Sequence, residues 1–195
     1  MRTALLLLSA FVLAAPAAAQ GANPYRSDSG FAVDLPAGWL PVSDRHLSEL
    51  RRNLRPENPA GVQTVEAAFQ AGSARYPAPP FAVIARVDFG QRITPDEFAA
   101  EFDAPDQALL QSMADSVAGI RTRMGVPVWD AENRVALLRA EVRSSGSAPL
   151  FAWTAMALHP SGRAMITLVY YGPLGQDERP VVAQLRSVVR SLRVD

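Results

Sequence analysis

The sequence predicts an α+β fold, an antiparallel β-sheet covered by helices on both faces. Three observations carry that reading. Short polar turns, Asp130-Ala131-Glu132-Asn133 and His159-Pro160-Ser161-Gly162, separate strand-like runs, and connections this short join antiparallel neighbours. The last two runs are apolar on both faces: Leu150, Ala152, Met156 and Leu158 alternate with Phe151, Trp153, Ala155 and Ala157, and a sheet of that kind needs cover on both sides. Segments with apolar residues every three or four positions are there to supply it.

Residues 1–19 read as a secretory signal peptide. Arg2 is followed by an apolar run from Ala4 to Ala15, then by Pro16, three alanines and the polar Gln20, the pattern of a leader cleaved after Ala19. The run is shorter than the ~20 apolar residues that span a bilayer, and no Cys follows it to take a lipid. The expected mature protein is therefore periplasmic or secreted, with no membrane anchor. Residues 20–28 are polar and contain Gly and Pro, so a flexible N-terminal arm is expected there, with a single domain over 29–195. Removing the leader leaves 176 of the 195 residues, enough for one core that buries about 70% of its unfolded surface. With no Cys in the chain, thiol chemistry and Cys-based metal sites are excluded.

Phe31, Val33 and Leu35 alternate with Ala32 and Asp34, the period of a half-buried strand. Pro36-Ala37-Gly38 ends it in a turn before Trp39. From Asp44 to Arg55 the apolar residues Leu47, Leu50 and Leu54 fall on one helical face, with Asp44 as the expected cap and Pro56 beyond the end. Strands follow over 62–70 and 81–89, separated by Pro77, Pro79 and Pro80. Thr94-Pro95-Asp96-Glu97 combines an N-cap Thr, Pro in the first turn and a capping-box Glu. After this short helix, a longer one is expected from Pro105, since Leu109, Leu110, Met113, Val117, Ile120 and Met124 keep helical spacing. Strands are expected over 126–129, 134–143, 150–158 and 163–171. A terminal helix buries Val181, Val182, Leu185, Val188, Val189 and Leu192.

The 19 basic and 19 acidic residues balance, and losing Arg2 with the leader leaves 18 against 19, a net charge of −1. Such a surface exerts no long-range pull on nucleic acid or anionic lipid. Every basic residue is Arg. A GC-rich genome accounts for this together with the abundant Ala, ahead of any special demand for anion recognition.

Gly30 to Trp39, reading Gly-Phe-Ala-Val-Asp-Leu-Pro-Ala-Gly-Trp, resembles the opening strand and turn of the PsbP-like superfamily, which includes DcrB-like bacterial envelope proteins. The order of the later elements is similar as well, over most of 29–193. The resemblance implies an antiparallel sheet between helical layers and a largely non-enzymatic role, docking onto larger assemblies. It carries over no site residue.

No catalytic, cofactor or metal constellation emerges from the residues. His46 lies near Asp44 and Glu49, but residues two apart diverge on a helix, which leaves only a solvated i,i+3 pair with Glu49. His159 reads as a turn residue. Ser144-Ser145-Gly146-Ser147 lacks the strand-elbow-helix context of a nucleophile and reads as a hairpin tip. The candidate partner contacts are Arg51, Arg52 and Arg55, on the side of the first helix opposite its Leu stripe, and Trp129, beside a turn. Trp39 and Trp153 read as core. The expected function is an exported, non-enzymatic binding module docking on a cell-envelope protein, without cofactor. The alternative is a carrier of a small apolar ligand between sheet and helix, lined by Met113, Met124 and Met156. A hydrolase comes third, and would need His46 or His159 to meet a Ser or an acid in the fold.

Overall fold

A computed structural model of the chain describes residues 23–53, 63–71, 75–103, 105, 120–144 and 146–194. The described chain is mostly antiparallel β-sheet with three helices. In order the elements are β1 (Asn23–Ser27), β2 (Phe31–Leu35), β3 (Leu40–Pro41), α1 (Asp44–Asn53), β4 (Gln63–Gln70), β5 (Phe81–Asp88) and α2 (Pro95–Ala100). They continue with β6 (Ile120–Met124), β7 (Val128–Asp130), β8 (Val135–Ser144), β9 (Leu150–Leu158), β10 (Ala164–Pro173), α3 (Arg179–Arg190) and β11 (Arg193–Val194).

The large sheet runs β3-β4-β5-β10-β9-β8-β6, with β7 also paired to β8. Its centre is the β8-β9-β10 meander, where Tyr170 lies opposite Trp153 and Ala140 opposite Ala152. A second, three-stranded sheet is ordered β1-β2-β11. It lays Phe31, Val33 and Leu35 into the same core as Ile84, Phe151, Leu168 and the α3 residues Val181, Leu185 and Val188. A separate cluster joins Val65, Ala68 and Val83 to Leu47 and Leu50 of α1.

The expected arm is ordered where it is described. Asn23–Ser27 pairs along its whole length with β2, and the Tyr25 ring meets Phe69 edge-on at 5.5 Å. Aromatic burial and a ready strand edge outweigh the polar composition that suggested a loose segment; residues 20–22, like the leader, lie outside the described residues. The long helix expected through Met124 is also corrected at its end. Ile120–Met124 is strand β6, paired with β8 from Ile120↔Ser144 to Met124↔Ala140. In Ile-Arg-Thr-Arg-Met, positions 120 and 124 satisfy helical spacing and strand alternation equally, and the free edge of β8 decides the matter. Residues 106–119 lie outside the described residues.

Smaller corrections follow local chemistry. Ser43, not Asp44, precedes the first turn of α1, because the Leu47 N–H donates to the Ser43 carbonyl at 3.0 Å. Strand β7 starts at Val128, beyond Pro127, which has no N–H for a ladder. Helix α3 ends at Arg190 with Ser191 as its C-cap, leaving Leu192 past the end.

Candidate functional site

At one end of the large sheet an open cleft of about 940 Å³ lies among three chain turns and the end of α3. Its first wall is the β5–α2 connection. Thr94 Oγ1 accepts from the Glu97 N–H at 3.3 Å while Glu97 Oε2 accepts from the Thr94 N–H at 2.8 Å, the reciprocal bonds the sequence predicts. This connection is stitched to the β9–β10 turn, where the Ile93 N–H donates to the Gly162 carbonyl at 2.7 Å. Gly162 has φ +70°, and a Cβ there would lie 2.6 Å from the Ile93 oxygen. Only glycine permits both that backbone and that approach.

His159 lines the cleft from the same turn and is 95% buried, its exposure being 5%. Its Nδ1 accepts from the Ser161 N–H at 3.2 Å and meets Ser161 Oγ at 2.8 Å. The ring proton therefore belongs on Nε2. Burial, then the Arg86 guanidinium, lower the His159 pKa, against weaker opposing pulls from the Gly30 carbonyl and Asp88.

The β7–β8 turn supplies the aromatic wall. Trp129 is half-buried and stacks on Phe102, with centroids 6.1 Å apart and planes 2° from parallel, while Phe98 meets it edge-on at 6.0 Å. Phe98 is buried, so the indole rests on a fixed support. The same turn is braced by Asp130, which accepts from Asn133 Nδ2 at 2.9 Å and pairs with Arg186 of α3 at 2.7 Å. Arg134 follows with φ 51°, a left-handed conformation uncommon for Arg. Arg92, Arg134 and Arg190 all line the cleft and are exposed, and among the described residues none of them has an ion pair or a side-chain hydrogen bond. Asp96 and Glu132 line it too, with no ion pair among the described residues.

The residues predicted as partner contacts do not converge. Trp129 sits at the cleft. Arg51 and Arg52 sit on α1, and Arg55 lies outside the described residues. Arg51 is committed to its own chain: a bulge in β4 at Glu66 interrupts the ladder, and Arg51 donates to the Val65 carbonyl at 2.7 Å and the Glu66 carbonyl at 3.2 Å. It thereby braces the backbone on both sides of the bulge. Arg52 is exposed. Arg51→Ser is accordingly expected to cost about 1–2 kcal/mol, and Arg52→Ser less than about 0.5 kcal/mol, in paired urea melts.

His46 meets Ser43 Oγ at 3.2 Å and the Tyr76 ring at 5.4 Å, while Glu49 pairs with Arg45 instead. Trp153 is half-buried rather than fully enclosed, because its Nε1–H donates to Glu178 at the start of α3 (2.6 Å). Sequence reasoning missed the cleft itself. Its one local signal was the capping box, which placed the Arg92–Asp96 wall but not what it faces.

Among the described residues, no three His, Asp or Glu side chains are grouped so as to hold a metal ion, and no helix is long and apolar enough to cross a membrane. No protein-family model matches the chain, and no curated protein does. Among solved structures, the chain is similar to cyanobacterial PsbP (CyanoP) from Synechocystis sp. PCC 6803, with a TM-score of 0.51 and 12% identity over 90% of this chain and 93% of that one. It also matches the Saccharomyces cerevisiae Ran-binding protein Mog1p, at a TM-score of 0.37 and 9% identity over 89% of this chain and 96% of that one. The fold is PsbP-like.

Proposed function

We propose that this protein is an exported, non-enzymatic accessory module that docks on another protein of the cell envelope, its leader removed near Ala19. The observation that supports this best is Trp129. A partly buried indole held against Phe98 and Phe102 loses little conformational freedom on binding, which suits an aromatic anchor. It stands on β7, where Val128 is 62% exposed, with Val126 just before the strand at 53%. Behind this edge we infer helical layers on both faces of the large sheet. Val83 and Ile84 are neighbours in β5 and point to opposite faces; the first packs towards α1 and the second towards α3.

The reading is tested by photo-crosslinking in the native envelope. A benzophenone amino acid replaces Val128 or Trp129, with Arg179, at the far end of α3, as control. A discrete adduct from 128 and 129 but not from 179 is expected. Equal labelling from all three positions, or none from 128 and 129, overturns it.

A second reading, carriage of a small apolar ligand, draws support from the cleft, whose volume is on the scale of ligand sites, ~300–1,000 Å³. Beside α3 the sheet and helix enclose a void of about 10 Å³. Of the lining expected there, Met156 is on β9, Met124 on β6, and Met113 lies outside the described residues. The hydrolase reading gains a His–Ser contact in each of two places. Both contacts are local to one turn, and no carboxylate hydrogen-bonds to either ring to orient it.

A further inference from the structure

We propose that the end cleft binds a small amphipathic anion, an apolar tail carrying a single carboxylate. This deepens the carrier reading and rests on it.

The head is specified by charge. Seven other described arginines, among them Arg86, Arg139 and Arg186, are paired with carboxylates of the chain. The three that line this cleft have no ion pair among the described residues, and neither do Arg52, Arg75, Arg121, Arg123 and Arg163; what sets the three apart is that they share one cleft. A guanidinium presents a planar fork that matches a carboxylate at two points. The Arg92 side-chain stem runs beside Gly162, where a Cβ would be 3.0 Å from the Arg92 Cγ. Arg134 is presented by a left-handed residue in a braced turn. Asp96 and Glu132 share the lining and repel a second or third negative charge, so the site favours a monoanion over a polyanion such as nucleic acid.

The tail is specified by what lies behind. Ala157, Val189 and Leu192 line the cleft and also line the small apolar void beside α3, whose other walls include Ile84, Ile166 and Leu168. The cleft floor thus continues into a seam between the sheet and the last turn of α3. Val189 and Leu192 are half-buried and give the cleft its own apolar floor, on which the tail is placed. Trp129 and Phe98 offer a second apolar wall nearer the mouth.

The test uses octanoate, decanoate and dodecanoate, with 1-decanol and acetate as controls, read by calorimetry and by amide shifts in ¹H–¹⁵N spectra of the mature protein. Decanoate is expected to bind in preference to decanol and acetate, moving the amides of Arg92–Thr94, Arg134, Gly162 and Arg190–Leu192. Affinity is expected to climb about three- to fourfold per methylene while the tail is being buried. The combined variant Arg92→Ser, Arg134→Asn, Arg190→Ser should lose decanoate affinity by roughly tenfold or more and keep its decanol affinity. Asn suits the left-handed position, and unpaired exposed charges contribute little to stability; Arg190→Ser alone, at a helix end, serves as a second variant with a smaller loss in the same direction. If decanol binds as tightly as decanoate and the arginine variants change neither, the anion proposal is overturned while the carrier reading stands. If no ligand shifts the cleft amides, both fall.

Discussion

Trp39→Ala is expected to lower stability by about 3–5 kcal/mol in denaturant melts with an unchanged slope, the range of large aromatic deletions from cores. The indole is 4% exposed and lies 6.4 Å from Phe69 and 6.0 Å from Tyr170, ring centre to ring centre. Those two rings belong to β4 and β10, so Trp39 ties the end of the small sheet's β2 to two strands of the large one. Its backbone N–H also closes the preceding turn on the Pro36 carbonyl at 3.2 Å, where Gly38 takes φ +85°. Truncation leaves a void that rings on separate strands cannot collapse to fill. A loss below about 1 kcal/mol would place the indole outside the core.

Glu178→Ala should cost about 2–3 kcal/mol, less than a fully buried pair because both partners keep some contact with water. Glu178 occupies the N-cap of α3, yet its side chain makes no cap hydrogen bond. It turns to the sheet, accepting from Arg139 Nε and Nη2, each at 2.8 Å, and from Trp153 Nε1 at 2.6 Å. Removing it leaves the Arg139 guanidinium on β8 with Glu141 alone, at 3.1 Å, and takes the acceptor from the Trp153 indole N–H on β9. The hydrogen bond from Arg139 holds the Glu178 carboxyl below its ordinary range. A carboxylate with a depressed folded pKa adds stability that is fully present above the unfolded value, ~4.3, and is lost as pH falls through the folded value. The stability gap between the wild type and Glu178→Gln should therefore be complete at pH 6 and narrow towards pH 3. An equal gap at both, measured in urea melts, would show that the carboxylate charge contributes nothing.

Where local chemistry dominates, the sequence was readable. The period-two run at Phe31–Leu35, the capping box at Thr94 and the strand at Leu150–Leu158 each appear within a residue or two of their expected limits. Their signals involve neighbours in the chain and survive any arrangement of the rest. Ile120–Met124 was not readable in that way, because its spacing suits two structures and the choice rests on β8, some twenty residues later. Asn23–Ser27 is similar: nothing in Asn-Pro-Tyr-Arg-Ser announces a strand until Phe31 and Phe69 offer Tyr25 a place.

The candidate site divides along the same line. Composition, alternation and turn residues determined that this chain carries an antiparallel sheet with helices, and they singled out Trp129 as an aromatic beside a turn. Tertiary structure alone decided that Arg51 serves a bulge of its own chain, and that Arg92, Arg134 and Arg190, drawn from a loop, a hairpin and a helix end, line one cleft. The reason is physical. Secondary structure follows interactions over a few residues, whereas a cleft is made by segments whose separation along the chain carries no information about their distance in space.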